Sequence, residues 1–260
     1  MEPRSVQARQ PYPWRLFFLL LAGSILGVLA LLPYLTVVLD PILAAHPSRL
    51  PLALIALIQG TTNFGVATGL GLLLARKIGL GAPVLEAWLY GRSPVGRRGL
   101  LWVSCLSGLG LGLVSLGLLR SSLGAALTAL PIATEGAMPL WKRFLACFYG
   151  GLCEEILMRL FLMSLVAWLL GKFWKAASGL PSPGAFWCAN ILVAIAFGAG
   201  HLPLAAQLVT LTPSLVTTVI ALNAMVALGF GYLYWKRGLE AAMIAHFWAD
   251  VVLHVLGPMF

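Results

Sequence analysis

The most regular feature of the chain is a series of long apolar runs separated by short polar segments. Runs of roughly 20 apolar residues are long enough to cross ~30 Å of hydrocarbon as helices. They predict spans over residues 16–38, 51–74, 100–119, 140–170, 186–204, 217–235 and 239–256. A less regular stretch leading to Pro139 is compatible with a short re-entrant or surface helix. The pattern predicts an all-α, polytopic membrane helix bundle of about seven to eight transmembrane helices.

Composition supports a membrane protein rather than a soluble domain. Of 260 residues, 60% are hydrophobic and 10% are charged, whereas soluble domains carry about 25% charged residues. The glycine pairs Gly65–Gly69 and Gly108–Gly112 have the small-xxx-small spacing that lets helix backbones approach closely in lipid. The four cysteines lie in apolar stretches without CxxC spacing, so we expect small core residues rather than a disulfide or zinc framework.

The net charge of +9 comes from short basic clusters between the apolar runs. With the N-terminus in the cytoplasm, the basic loops around 75–99, 172–175 and 236–237 all fall on the cytoplasmic side, as the positive-inside rule requires. Arg120, Lys142 and Arg143 then fall on the opposite side. This distribution argues against nucleic acid as a partner. The lack of a transit-like or signal-like leader is compatible with a multi-pass protein of a bacterial inner membrane.

The charges that lie inside predicted spans mark the place where chemistry is expected, because an ionisable group in hydrocarbon costs a few kcal/mol or more. Five of the eight acidic residues lie in loops or at span ends, and these are Glu2, Asp40, Glu86, Glu135 and Glu240. Within spans four, five and seven lie Glu154, Glu155, Arg159, His201, His246, Asp250 and His254. We expect these residues to form one polar cluster, with Arg159 as its only trapped basic residue.

The first motif is Glu154-Glu155-xxx-Arg159 in span four. On a helix, Glu155 and Arg159 are one turn apart and can pair. Glu154 points ~100° away from Glu155 and lacks that partner, which favours it as a base or a ligand. The alternative is a purely structural network of the three residues.

The second motif is Phe197-xxx-His201 in span five, with glycines at 198 and 200 that would let a neighbouring backbone or a substrate come close. A lone histidine on an apolar helix is more often a core residue than a catalyst. By helix rise, His201 lies ~22 Å from the start of its span, whereas His246 lies ~9 Å from Glu240. The two histidines can meet only if their helices start at different depths or tilt.

The third motif is His246-xxx-Asp250 in span seven, which places both side chains on one helix face. The carboxylate could orient the imidazole, or both could face a substrate; the alternative is a buried polar clamp. His254 continues this face one turn further on, nearer the end of the span, and we expect it either to support the site residues from behind or to be structural.

The ordered trio of motifs resembles the CPBP family, the CAAX-protease and bacteriocin-processing (Abi) intramembrane endopeptidases. The resemblance covers about residues 140–255 and implies a catalytic core at 140–256, preceded at 1–139 by N-terminal membrane helices and a basic loop of the same membrane domain. It implies that Glu154 and His201 activate a water, that His246 and Asp250 stabilise the oxyanion, and that Glu155 and Arg159 support the site. Eukaryotic members have Asn where this chain has Asp250. Because an ionised carboxylate would repel an oxyanion, Asp250 would instead orient His246 or be protonated.

The resemblance implies hydrolysis of a membrane-associated protein or peptide, prenylated or not. A zinc version, with Glu154, His201 and His246 as ligands and a bound water, is an alternative to the metal-free site. We favour the metal-free site because no HExxH pair is present. The rival functions are a non-catalytic membrane scaffold or immunity protein, and a transporter with a buried proton relay. A relay needs a continuous polar path, and spans one to three offer little beyond Asn63.

Overall fold

The computed structural model describes residues 11–40, 44, 51–91, 99–121 and 137–259, which are helical apart from short connections. The α-helices are α1 (Trp14–Val38), α2 (Leu52–Lys77), α3 (Pro83–Tyr90), α4 (Leu100–Leu119), α5 (Leu140–Phe148), α6 (Ser164–Leu170), α7 (Pro183–Gly200), α8 (Leu202–Leu208), α9 (Pro213–Arg237) and α10 (Leu239–Asp250). Between α5 and α6 the chain continues as π-helix over Tyr149–Glu154 and Ile156–Met163. After α10 it continues as π-helix over Val251–Leu256 and as 3₁₀-helix over Gly257–Met259.

Six helical segments of the described residues are long and apolar enough to cross a membrane. The segment 140–170 is a seventh long helical segment, interrupted only by its change to π-helix. The prediction of an all-α, polytopic membrane bundle is confirmed. Pro33 lies inside α1 and does not end it. The predicted short helix before Pro139 falls mostly on residues 122–136, outside the described residues, as do Glu2, Glu135 and the basic residues of 92–98.

Large apolar side chains cover the outside of the bundle. Trp102 and Leu106 on α4 are 73% and 65% exposed within the isolated chain. A water-soluble monomer rarely exposes apolar patches of this extent. In lipid the same side chains are well solvated, and the helical backbone satisfies its own hydrogen bonds. The apolar surface therefore fits an integral membrane protein.

One of the two predicted glycine pairs lies at a close contact between helices. A Cβ atom at Gly108 would overlap the carbonyl oxygen of Ala245, and one at Gly112 would lie 3.0 Å from the carbonyl oxygen of Ala249. These glycines let α4 pack directly on α10. The prediction for the pair Gly65–Gly69 is wrong, because a Cβ atom at Gly65 would meet nothing within 4 Å. The close approach of α2 to the segment 140–170 is made at Gly71, two residues beyond that pair, where a Cβ atom would lie 2.8 Å from the carbonyl oxygen of Leu160.

The start of α10 is buried by a loop from another part of the chain. The turn between α9 and α10 is made at Gly238, whose φ of 97° favours glycine. The N–H of Leu239 donates to the carbonyl oxygen of Gly81 at 3.0 Å. The carboxylate of Glu240 accepts from the N–H groups of Val84 and Leu85 at 2.9 and 2.8 Å, and so caps the first turn of α3. Glu240 stands at a span end as predicted, but it is a buried structural group.

Arg143 corrects the expectation that Arg159 is the only trapped cation. Arg143 lies in α5, is 5% exposed, and donates through Nη1 to the carbonyl oxygen of His254 at 3.2 Å. The sequence pattern grouped it with Lys142, among the basic residues outside the cytoplasmic side. Lys142 itself is half-buried. Adjacent residues of a helix point ~100° apart, so only one of the two side chains faces the interior of the bundle.

Candidate active site

The buried carboxylate of Glu155 stands at the centre of the polar cluster. Glu155 is fully buried, and its Oε1 lies 3.0 Å from Nη1 of Arg159, so the predicted ion pair one turn along the helix is present. The same oxygen lies 2.7 Å from Nδ1 of His246. A carboxylate that accepts from Nδ1 fixes the orientation of an imidazole and directs its Nε2 away. Glu155 therefore orients His246 across 91 residues of sequence.

Arg159 closes the cluster on the side away from the cavity. Its Nη2 donates to the carbonyl oxygen of Ala227 on α9 at 3.0 Å. Its guanidinium lies 5.2 Å from the ring centre of Phe197 and 5.5 Å from that of Phe230. Cation–π contacts of this kind are strongest where water is excluded. Arg159 thus ties the Glu155 carboxylate to α7 and α9.

The other ring nitrogen of His246 faces two more carboxylates. Nε2 lies 3.6 Å from Oε2 of Glu154 and 3.6 Å from Oδ1 of Asp250. Polar groups separated by slightly more than a hydrogen bond leave room for a bridging water. The side chains of Glu154 and Asp250 are 24% and 15% exposed, in contrast to the fully buried Glu155. The expectation that Asp250 orients His246 differs from the structure, because Glu155 makes that hydrogen bond.

A glycine makes the space for this arrangement. A Cβ atom at Gly150 would overlap Oδ2 of Asp250 and lie 3.1 Å from Nε2 of His246. Gly150 lies in the π-helical segment Tyr149–Glu154, and π-helical turns are frequent at functional sites because they change the direction of side chains. The missing side chain lets span seven place its two polar groups directly against span four.

His201 reaches the same cavity from the C-terminal end of α7. Its Nδ1 lies 2.8 Å from the carbonyl oxygen of Phe197, one turn back on its own helix. The Phe197 ring contacts both histidines, with ring-centre distances of 4.8 Å to His201 and 5.7 Å to His246. The two histidines therefore line one cavity despite the depth mismatch predicted from the span boundaries.

The four predicted site residues line one cavity of about 160 Å³ within the bundle. Its wall contains Glu154 from the segment 140–170, His201 from α7, and His246 and Asp250 from α10. The Phe230 ring stacks on the His246 ring at 4.5 Å and closes the cavity on the α9 side. A small polar cavity inside an apolar bundle can hold a few waters next to a carboxylate and an imidazole.

The motif analysis missed three polar residues of this wall. Asn223 on α9 lines the cavity, and its Nδ2 donates to the carbonyl oxygen of Val219 at 2.9 Å. Tyr149 and Tyr34 line it from the segment 140–170 and from α1. An asparagine in the middle of an apolar run was a detectable signal, whereas tyrosines occur throughout membrane spans. His254, assigned to structural support, also lines the cavity.

The geometry does not assemble a metal-ligand set. Among the described residues, no group of three or more His, Cys, Asp or Glu side chains is arranged to hold a metal ion. The proposed zinc ligands Glu154 and His246 approach each other, whereas each of the two histidines packs against the Phe197 ring. These residues do not fit a tetrahedral zinc site in the observed arrangement, and zinc dependence stays an untested prediction.

Comparison with known families identifies the same part of the chain. A family model described as type II CAAX prenyl endopeptidase Rce1-like matches residues 136–252. The matched segment contains all three motifs, and it confirms the resemblance to the CPBP intramembrane endopeptidases. At the family level, the match supports an intramembrane protease. Comparisons with curated proteins and with solved structures give no match.

Proposed function

We propose that the protein is an intramembrane endopeptidase that hydrolyses a peptide bond of a membrane-associated protein or peptide, in the manner of a CAAX prenyl protease. The observation that carries the proposal is the cavity within the bundle that Glu154, His201, His246 and Asp250 line together. A peptidase needs a water, a base, and hydrogen-bond donors aimed at the developing oxyanion. The cavity has room for a water, and it receives the base from the segment 140–170 and the donors from α10.

In the proposed reaction, the Glu154 carboxylate takes a proton from a water that His201 helps to position. The water oxygen attacks the carbonyl carbon of the scissile bond and forms a tetrahedral oxyanion. Collapse of this oxyanion breaks the C–N bond, and the same proton is delivered to the leaving amine, so that the carboxylate is regenerated. The Glu154 side chain suits this role because it faces the cavity and is partly exposed. Glu155, in contrast, is fully buried, and its Oε1 is held by both Arg159 and His246.

His246 stabilises the oxyanion through its Nε2. As an imidazolium, His246 donates its Nδ1–H to Glu155 at 2.7 Å, and its second proton, on Nε2, points into the cavity. Asp250, at 3.6 Å from the same nitrogen, acts as a second donor in its protonated form. No step of this mechanism is assigned to a metal.

The proposal is tested with purified protein in detergent and fluorogenic peptides, one set ending in a farnesylated cysteine motif and one unprenylated. We expect cleavage by the wild-type protein and a loss of at least ~10²-fold in kcat for Glu154→Gln, since removing general-base catalysis typically costs this much. Glu86→Gln is the matched control, because Glu86 is a half-buried carboxylate in α3 outside the cavity. Cleavage that persists in Glu154→Gln would show that Glu154 is not the general base. If the folded wild-type protein cleaves none of the peptides, the result favours the non-catalytic scaffold.

The membrane and orientation form part of the proposal. Two spans, α2 and α9, end in basic residues. With a cytoplasmic N-terminus, both of these ends lie on the cytoplasmic side of the membrane. The residues are Arg76, Lys77, Lys236 and Arg237. We assign this end to the cytoplasmic face of a bacterial inner membrane. Labelling of single cysteines introduced at the two ends of α9 in intact cells distinguishes the two orientations.

A further inference from the structure

A second cavity, larger than the candidate active site, lies between α4 and α9. We call it the α4–α9 cavity; it has a volume of about 980 Å³. It contains none of the residues of the candidate active site, and its wall includes Val103, Ser107 and Leu111 of α4 and Gly229 and Tyr232 of α9. Its volume is at the upper end of that of typical small-molecule sites, roughly 300–1,000 Å³. It is therefore large enough for a sizeable part of a lipid.

The cavity changes from charged to apolar along the helix axes. At one end stand Lys236 and Arg237, the last two residues of α9. At the other end, Leu111 meets Gly229, where a Cβ atom would lie 2.6 Å from the leucine side chain. From 229 to 237 along α9, and from 103 to 111 along α4, the rise is ~12 Å in each case. The cavity thus reaches from the end of the spans to most of the depth of one leaflet, which is ~15 Å of hydrocarbon.

The cations at the charged end lack acidic partners within the described residues. Neither Lys236 nor Arg237 forms an ion pair there, and Nζ of Lys236 lies 3.5 Å from the ring centre of Trp235. The nearby carboxylates, of which Glu86 lines the same cavity, lie against backbone N–H groups. Glu86 lies against the N–H of Ala82 at 3.4 Å, and Glu240 caps the first turn of α3. Two cations without partners, above an apolar wall, complement an anionic headgroup with an acyl chain.

The position of the cavity matches the headgroup level of a bilayer. Trp187, Tyr232 and Trp235 form one aromatic cluster on its outer side, with ring centres 5.8 to 6.3 Å apart. Tryptophan and tyrosine gather at membrane interfaces, where one part of the ring system is apolar and another is hydrated. At the same end of the bundle, Lys172 lies 4.1 Å from the ring centre of Trp168. The charged end of the cavity therefore stands at a basic interface.

We propose that the α4–α9 cavity binds one anionic phospholipid, with its phosphate between Lys236 and Arg237 and an acyl chain along Val103, Leu111 and Tyr232. The lipid comes from the leaflet that the basic end of the bundle faces. This site is independent of the proposed peptidase function, since the two cavities share no residue. Lipid bound there fills the space between α4 and α9 on the charged side of Leu111 and Gly229.

The test is native mass spectrometry of delipidated, full-length protein titrated with dioleoylphosphatidylglycerol or dioleoylphosphatidylcholine. We expect one tightly bound phosphatidylglycerol, with affinity about 10- to 30-fold above that for phosphatidylcholine, from two cations near the headgroup. The double variant Lys236→Gln/Arg237→Gln should reduce this preference to within about threefold. Lys172→Gln is the matched control, because it removes a lysine that also lies on a tryptophan ring at the same end but outside the cavity.

A second variant tests the apolar half of the site. Ser107 is half-buried on the cavity wall, and Ser107→Trp would fill the space of an acyl chain. It should weaken both lipids, while Glu154→Gln should leave the preference for phosphatidylglycerol unchanged. Equal affinity for the two lipids, an equal loss in Lys172→Gln, or full binding in a folded Ser107→Trp protein would each overturn the proposal. Displacement of the lipid by a farnesylated peptide would overturn it too, in favour of a substrate site.

Discussion

Replacing Glu155 by glutamine tests whether the central carboxylate both stabilises the bundle and positions the chemistry. Glutamine keeps the size of the side chain and removes its charge. One oxygen of Glu155 serves Arg159 at 3.0 Å and His246 at 2.7 Å, in a fully buried position. Each charge-assisted contact contributes about 1.5–3 kcal/mol, and removing one partner of a buried ion pair costs about 3–5 kcal/mol. We expect Glu155→Gln to lower the free energy of unfolding by about 3–5 kcal/mol.

A double variant separates stability from positioning. In Glu155→Gln/Arg159→Met both buried charges are gone, so no uncompensated cation remains and the unfolding free energy should return to within about 2 kcal/mol of wild type. Activity should not return, because His246 still lacks the carboxylate that accepts from its Nδ1. Misplacing a catalytic group by about 1 Å can cost ~10²-fold in rate, and we expect a fall in kcat of at least this size with a smaller change in KM.

The assay combines unfolding in mixed detergent micelles with kcat and KM on a peptide that the wild-type protein cleaves. Glu154→Gln is the control at the adjacent position, where the side chain faces the cavity. It should lose activity while its unfolding free energy changes by less than about 1 kcal/mol. Two results would refute the reasoning: a Glu155→Gln protein as stable as wild type, or a double variant that recovers wild-type kcat.

The remaining predictions concern a glycine, a buried cap and the metal. Gly150→Ala should lower kcat/KM by ~10²-fold because its methyl group would displace Asp250. Gly110→Ala is the control, because a Cβ atom there meets nothing within 4 Å, and its kcat/KM should match that of the wild type. An equal fall in kcat/KM for the two variants would contradict the role of Gly150. Glu240→Ala should lower the unfolding free energy in detergent by about 1–3 kcal/mol, since two backbone N–H groups of α3 lose their acceptor. An unfolding free energy equal to that of the wild type would show that this cap does not stabilise the fold. Treatment with a chelator, followed by its removal, should leave the rate of peptide cleavage unchanged. A loss of cleavage that only added zinc restores would contradict the metal-free site.

Much of the fold could be predicted from the sequence because lipid leaves the backbone few choices. A chain segment in hydrocarbon must satisfy its own hydrogen bonds, so each long apolar run becomes a helix. The run predicted at 16–38 is α1 at Trp14–Val38, and the run predicted at 239–256 is α10 with its π-helical extension. The change to π-helix after Phe148 had no counterpart in the pattern, because π-helical segments of 6 and 8 residues are too short to reveal the longer period of i→i+5 hydrogen bonding.

Contacts within one helix were also open to prediction, since they depend on spacing alone. The four-residue interval of Glu155 and Arg159 places them on one face, and their side chains meet at 3.0 Å. The interval of His246 and Asp250 does the same, at 3.6 Å. Residue type and spacing were sufficient to select the four predicted site residues, but not the asparagine and the two tyrosines that also line the cavity.

Contacts between helices depended on depth and rotation, which only the tertiary structure decides. The Glu155–His246 hydrogen bond joins residues 91 positions apart, and no spacing rule specifies it. It forms because the loop around Gly81 and the cap at Glu240 bury the start of α10 and thereby set the depth of His246. The sequence by itself determined seven helical segments and the polar faces of three of them. Packing decided which carboxylate holds the imidazole, because in lipid each polar group must find its partner on a neighbouring helix, and small residues determine how closely the helices approach.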